Sequence, residues 1–253
     1  MKIFLTILFL LSFSYSVFAT DYTQDVRCKG AWLLDETSGN AIDTSSNSLD
    51  LVNTNVTYEA TGAFGKAYSY NGSNAYSQKG SGSGVLDIAT DFTIVSWFKA
   101  ANLTQSNTYL MQYRDDSTQW GVIWEYVNNQ VEFFASSYTG SNPRTGSGIT
   151  IGDTNLHHIA YRYNGTAWSY FLDGVETVIN ASITFNPNVG TNGNLMFTLG
   201  AAYSGGPVAY INAIIDEPSV FIGNLSSTEI NDIMDNGLVA TTTSVGKVIM
   251  IYD

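Results

Sequence analysis

The sequence predicts an all-β protein, a sandwich of two antiparallel sheets with one short helix near the C-terminus. Three observations carry that prediction. Short runs of β-branched and aromatic residues alternate with clusters of Gly, Asn, Asp and Ser, the pattern of strands punctuated by turns. Charged residues make up only 13% of the chain, so the helix formers Lys, Glu and Arg are under-used. Turns such as "VNNQ" and "LDGV" sit between strand-like runs at hairpin spacing.

The elements follow in chain order. Lys2 and the apolar run "IFLTILFLLSFSYSVFA" read as a secretory signal peptide over 1–19, with Val17 and Ala19 as the small residues before the cut. The run is too short for a membrane span. The expected product is therefore secreted, extracellular or periplasmic, with no membrane contact after cleavage. Residues 20–253 then read as a single domain. "AYSYN", "DFTIVSWFKA", "WGVIWEY", "QVEFFASS", "HHIAYRY", "WSYFLDG", "NLMFTLG" and "AIIDEPSVFIG" are the expected strands. "LSSTEINDIMDNG" is the expected helix: Ser226 or Ser227 caps it, Glu229 and Asp232 sit near its positive end, and Gly237 ends it. "KGSGSGVLD" reads as a loop. The tail "KVIMIYD" is strand-like and suited to pairing with a sheet edge or another chain.

The net charge is −12. Nucleic acid and anionic membrane would be repelled, which leaves neutral polymers or cations as the natural partners. Cys28 is the single cysteine, so no internal disulfide is available and the fold must rest on its core or on a metal.

Five stretches, in this order, resemble the LamG-like jelly-roll family of the concanavalin A-like lectin/glucanase superfamily: "AWLLDETSGNAIDTSSN", "FGKAYSYNGSNAYS", "DFTIVSWFKA", "LHHIAYRYNGTAWSYFLDG" and "AIIDEPSVFIGNLSSTEINDIMDNG". They span roughly residues 31–237. The resemblance implies a concanavalin A-like jelly roll and, since such folds host lectins, adhesion modules and glycanases, several functions. It also implies a calcium near the junction of the first and last strands, with Glu36, Asp43 and Asp216 at the matching positions and Asn71 adding an amide oxygen. The chain departs from the family at Leu156, where a Trp is usual, at Asn71, where an Asp is common, and at Pro218, which removes a backbone donor from its strand.

His157 and His158 are adjacent, so in a strand they face opposite ways and cannot share one ligand. With no third histidine they do not make a zinc site. Each is expected to hydrogen-bond within the sandwich, and Asp173-Gly174 to serve a hairpin turn. Acids at alternate strand positions, which a glycanase of this superfamily would carry, are missing; Glu125 and Glu132 flank the central hairpin. No enzyme is expected.

Aromatic rings and amides are the candidates for sugar binding. Trp120, Trp124 and Tyr126 fall on one strand face, either a sugar platform or part of the core. Tyr138, Asn142 and Arg144 in "YTGSNPRTGSG", and Tyr203 in "AAYSGGPVAY", are loop candidates. The expected function is a non-enzymatic recognition module for glycan or another surface polymer, with calcium as a stabilising ion. The alternatives are a structural surface or virion component contacting protein through a sheet edge or the C-terminal strand, and a polysaccharide-cleaving enzyme.

Overall fold

The strand-forming runs stack as two antiparallel sheets, and their pairing order decides where the molecule is open. The computed structural model describes residues 20–80, 91–115, 121–127, 129–136, 148–179 and 195–239. The expected signal peptide (1–19) and the strand-like tail (247–253) lie outside them. A 3-10 turn at Tyr22–Gln24 precedes β1 (Cys28–Ala31), β2 (Val52–Thr54), β3 (Thr57–Thr61), β4 (Lys66–Asn71), β5 (Tyr76–Lys79) and β6 (Phe92–Ala100). Then come β7 (Thr108–Asp115), β8 (Gly121–Val127), β9 (Gln130–Ser136), β10 (Ile149–Thr150), β11 (His157–Tyr163), β12 (Trp168–Leu172) and β13 (Val175–Ile179). β14 (Leu195–Leu199), β15 (Ala202–Tyr203), β16 (Pro207–Val208), β17 (Asn212–Ile222) and α1 (Ser227–Asn236) complete the described elements.

One sheet has the order β13-β12-β11-β6-β17-β4-β3, with β1 added on β17. The other runs β10-β9-β8-β7-β14-β5-β2, and β15 and β16 form a separate ribbon. This is the expected antiparallel two-sheet sandwich. β6 lacks polar–apolar alternation because both its faces are covered. Phe92, Ile94 and Phe98 enter the core between the sheets, while Val95 enters a second core with Phe171, Phe221, Ile230 and Ile233. α1 closes that second core. In the main core Phe133 lies 4.9 Å from Trp168 and 5.1 Å from Tyr161, ring centre to ring centre. Burying each such ring contributes about 1.5–3 kcal/mol.

α1 begins in a capping box, in which Glu229 N–H donates to Ser226 Oγ and Ser226 N–H to the Glu229 carboxylate. Arg27 also pairs with Glu229. Tyr22 N–H donates to the Leu238 carbonyl at 2.8 Å, so the first and last described segments lie side by side. Cys28 is free and buried, which pushes its thiol up to about 12. At Glu217-Pro218 the register of β17 against β6 shifts, and Glu217 sits at φ 45°. The strand answers the missing proline N–H with a bulge.

The two sheets are offset at one edge. β10 lies against β12, so β13 extends past the last described strand of the opposing sheet. By register Val175 and Thr177 share a face with Leu172 and Tyr170, the side turned to the main core, yet Val175 is 69% exposed.

Candidate functional site

The offset opens a cleft of about 410 Å³ between the sheets. Ile149 and Thr150 of β10 form one wall. Tyr170 and Leu172 of β12 with Val175 and Thr177 of β13 form the other, and Asp173 of the intervening turn closes one end. The β12–β13 turn is tight because Asp173 (φ 48°) and Gly174 (φ 79°) both take left-handed backbone, as a type I′ hairpin requires. The Tyr170 ring is steadied by Tyr161, 6.1 Å away, whose hydroxyl donates to the Val131 carbonyl. Apolar and aromatic walls with a few hydroxyls and one carboxylate suit a polar ligand with an apolar face. Sequence reasoning missed this cleft. Its only trace is the alternation of Tyr170, Leu172, Val175 and Thr177 across one hairpin.

His157 stands at the end of the cleft. One ring nitrogen, Nδ1, meets Asp173 Oδ2 at 2.8 Å and the other, Nε2, meets Asp153 Oδ1 at 3.0 Å. Asp173 Oδ1 also accepts the His158 N–H. Burial alone would lower the His157 pKa, but the hydrogen bonds to Asp173 and Asp153 outweigh it and hold His157 above its ordinary value. His157 therefore bonds to the carboxylates of two exposed turns rather than inside the sandwich, and Asp173 does more than turn the chain.

The expectation for His158 needs correction. It is fully buried, and neither ring nitrogen has a hydrogen-bond partner among the described residues. Its surroundings are the Trp97 ring and the second core, which offer little to bond, and burial holds its pKa down to about 4.

The expected calcium ligands are largely engaged by protein donors. Asp43 accepts Ala31 N–H, Ser45 N–H, Ser45 Oγ–H and Leu49 N–H, all within 3.0 Å. Asn71 Oδ1 accepts the N–H groups of Ser73, Asn74 and Ala75 and organises a turn. Glu36 accepts Ile42 N–H and Tyr68 O–H. Asp216 accepts Ala63 N–H and Phe64 N–H on Oδ2, while its buried Oδ1 has no well-formed hydrogen bond among the described residues. Calcium needs about six to eight oxygens with lone pairs turned inward. Among the described residues no group of three or more His, Cys, Asp or Glu is gathered for a metal. Desolvation instead pushes Asp216 up to about 7 and Glu217 up to about 8.

The expected sugar platform is not a surface at Tyr126, which is fully buried in the main core because its strand face turns toward the opposing sheet. Trp120, Tyr138, Asn142, Arg144 and the side chain of Trp124 lie outside the described residues. Tyr203 is half-buried on β15, and its N–H donates to Gln112 Oε1. Glu125 and Glu132 stand directly opposite each other across β8 and β9, and Glu125 is buried.

Comparison with known proteins gives a consistent picture. The Laminin_G_3 model, described as concanavalin A-like lectin/glucanases superfamily, matches residues 71–231. No curated protein matches the sequence. Domain 4 of AbnA, an extracellular arabinanase from Geobacillus stearothermophilus solved with arabinotriose, is 20% identical with a TM-score of 0.61. The match covers 82% of this chain and 98% of that domain. A Trypanosoma rangeli sialidase mutant is 13% identical, TM-score 0.62, over 87% of this chain and 35% of its own. The receptor binding domain of botulinum neurotoxin C/D mosaic serotype is 12% identical, TM-score 0.57, over 83% and 51%. At these identities the likenesses speak to fold.

Proposed function

The chain belongs to the Laminin_G_3 family of the concanavalin A-like lectin/glucanase superfamily, and on that footing we propose that it is a secreted, non-enzymatic recognition module for glycan. The cleft between β10 and the β12–β13 hairpin is the observation that carries this reading. An aromatic wall at Tyr170 suits the apolar face of a sugar ring, and the hydroxyls of Thr150 and Thr177 suit its edges. The strong negative charge favours a neutral glycan over an anionic one. The arabinotriose bound by the AbnA domain makes arabinan the first probe.

The test is retention of the purified protein on arabinan and other insoluble and soluble polysaccharides, with release of reducing ends assayed in the same tubes. Retention without release is expected. Val175→Arg blocks the cleft from an exposed position and should abolish retention with little effect on stability. Tyr170→Ala should weaken it about tenfold, or ~1.4 kcal/mol. Retention unaffected by both variants would move the site elsewhere.

A second reading has one observation of its own. Glu125 and Glu132 face each other directly in register, the raw arrangement of a paired-carboxylate hydrolase. Release of reducing ends that disappears in Glu125→Gln and Glu132→Gln would establish that reading instead.

A further inference from the structure

We propose that His157 is a proton-operated clasp that sets the width of the cleft, and therefore that ligand binding there tightens in mild acid. The inference rests on the glycan-cleft reading for its ligand, but the clasp itself is a property of the protein alone.

The geometry is specific. Asp153 belongs to the segment that follows β10, one wall of the cleft. Asp173 belongs to the β12–β13 turn, which joins the two strands of the other wall. His157, at the start of β11, reaches both carboxylates at once, 2.8 Å to Asp173 and 3.0 Å to Asp153. An imidazole bonded to a carboxylate on each nitrogen must donate from both. Only the protonated ring has two N–H groups; the neutral ring has one N–H and one lone pair. Loss of the proton therefore leaves either Asp153 or Asp173 facing a lone pair, and one side of the bridge becomes repulsive.

Which side gives way follows from the remaining bonds. Asp173 keeps a second tie, because its Oδ1 accepts the His158 N–H, and its backbone N–H donates to the His158 carbonyl. Among the described residues Asp153 otherwise bonds only locally, to the backbone N–H and the side chain of Asn155. Deprotonation should release Asp153 and, with it, the segment anchored to β10. On β6 the residue paired with His157 is Phe98, which carries no charge. Among the described residues the two carboxylates are the charged groups acting on the ring. His157 is a positioning residue: it lines no wall itself and acts through Asp173 and the β10 segment.

The experiment reads the clasp and the ligand separately. The chain has two histidines, so the ring signals in an NMR titration of the ligand-free protein are assigned by comparison with His157→Gln. His157 should titrate above the ordinary histidine value, and Asp153→Asn should bring it down. Titration at or below the ordinary value, or no response to Asp153→Asn, overturns the clasp.

The second arm measures arabinotriose affinity by calorimetry at pH 5.5 and 8.5. Wild type should bind about three- to tenfold more tightly at pH 5.5, and His157→Gln should bind equally at both. A wild-type affinity that does not change with pH overturns the control of the cleft even if the titration is as expected. If arabinotriose does not bind at either pH, the glycan reading has failed for that sugar. The clasp is then decided by amide exchange of Gly152–Asn155, corrected for intrinsic rate. Faster exchange at pH 8.5 in wild type but not in His157→Gln supports it, and equal behaviour overturns it.

Discussion

The rings of His158 and Trp97 meet edge to face, 5.2 Å between centres, and among the described residues neither the two imidazole nitrogens nor the indole Nε1 has a hydrogen-bond partner. Burial there holds the imidazole neutral, with its pKa down to about 4 against 6.5 when free. The sign follows from proton binding. Between those values the unfolded chain takes up a proton that the folded one refuses. The stability is complete above about pH 6.5 and declines as pH falls toward about 4. The loss attributable to this group is about 3 kcal/mol. His158→Leu should remove that loss, with a change at pH 7.5 of no more than about 1 kcal/mol. Urea unfolding of both proteins across this range checks it; parallel pH profiles would show that His158 is not the buried neutral group.

Asp216 supplies the opposite slope. Desolvation raises its pKa to about 7 from 3.8. Between these values the folded chain holds a proton that the unfolded one has lost. The group's stability contribution is therefore present in acid and is lost as pH rises from about 4 to about 7. Asp216→Asn keeps an oxygen for the Ala63 and Phe64 N–H groups without the titration. Relative to wild type it should gain a few kcal/mol between pH 4.5 and 8. Thermal melts at those two pH values decide; a constant difference between the proteins would show that Asp216 is ionised throughout.

Asp43 gathers four N–H and O–H donors from Ala31, Ser45 and Leu49. Asp43→Ala strands them in the interior and should cost about 3 kcal/mol or more. That cost should be the same in calcium and in chelator. A cost seen only with calcium would return Asp43 to the role of cation ligand.

Gly200 has φ +79°, and a Cβ there would lie 2.2 Å from the buried Tyr70 ring. At Gly205, φ +69°, an added Cβ would meet none of the described residues within 4 Å. Gly205→Ala should cost about 1 kcal/mol, the backbone penalty alone. Gly200→Ala adds ring overlap and should cost about 2–4 kcal/mol. Equal losses in chemical denaturation would mean that Tyr70 moves aside freely.

The sheets and the helix were legible because their signals are local. β6 and β11 announce themselves by β-branched and aromatic runs, and α1 by Ser226, Glu229 and Gly237. The cleft was not. It depends on β10, a strand of two residues, ending one sheet beneath the other, and no local pattern encodes where a sheet stops. The partnership of His157 with Asp153 and Asp173 was hidden for the same reason: the acids stand on different segments. The N–H groups gathered by Asp43 and Asn71 were not legible either, because an oxygen that bonds backbone N–H groups and one that binds a cation look alike in sequence. In the sequence Tyr126 suits either a platform or the core, and only the stacking of the sheets makes that choice.

The bond between Tyr22 N–H and the Leu238 carbonyl has an architectural consequence. Segments that lie side by side let residues 20–239 be spliced into a loop of another protein as a cassette, or be cut and rejoined as a circular permutant. A short linker between residues 20 and 239, with new ends opened in the β8–β9 hairpin, would leave β10–β13 uninterrupted. The cleft and its histidine would then travel intact with the rearranged chain.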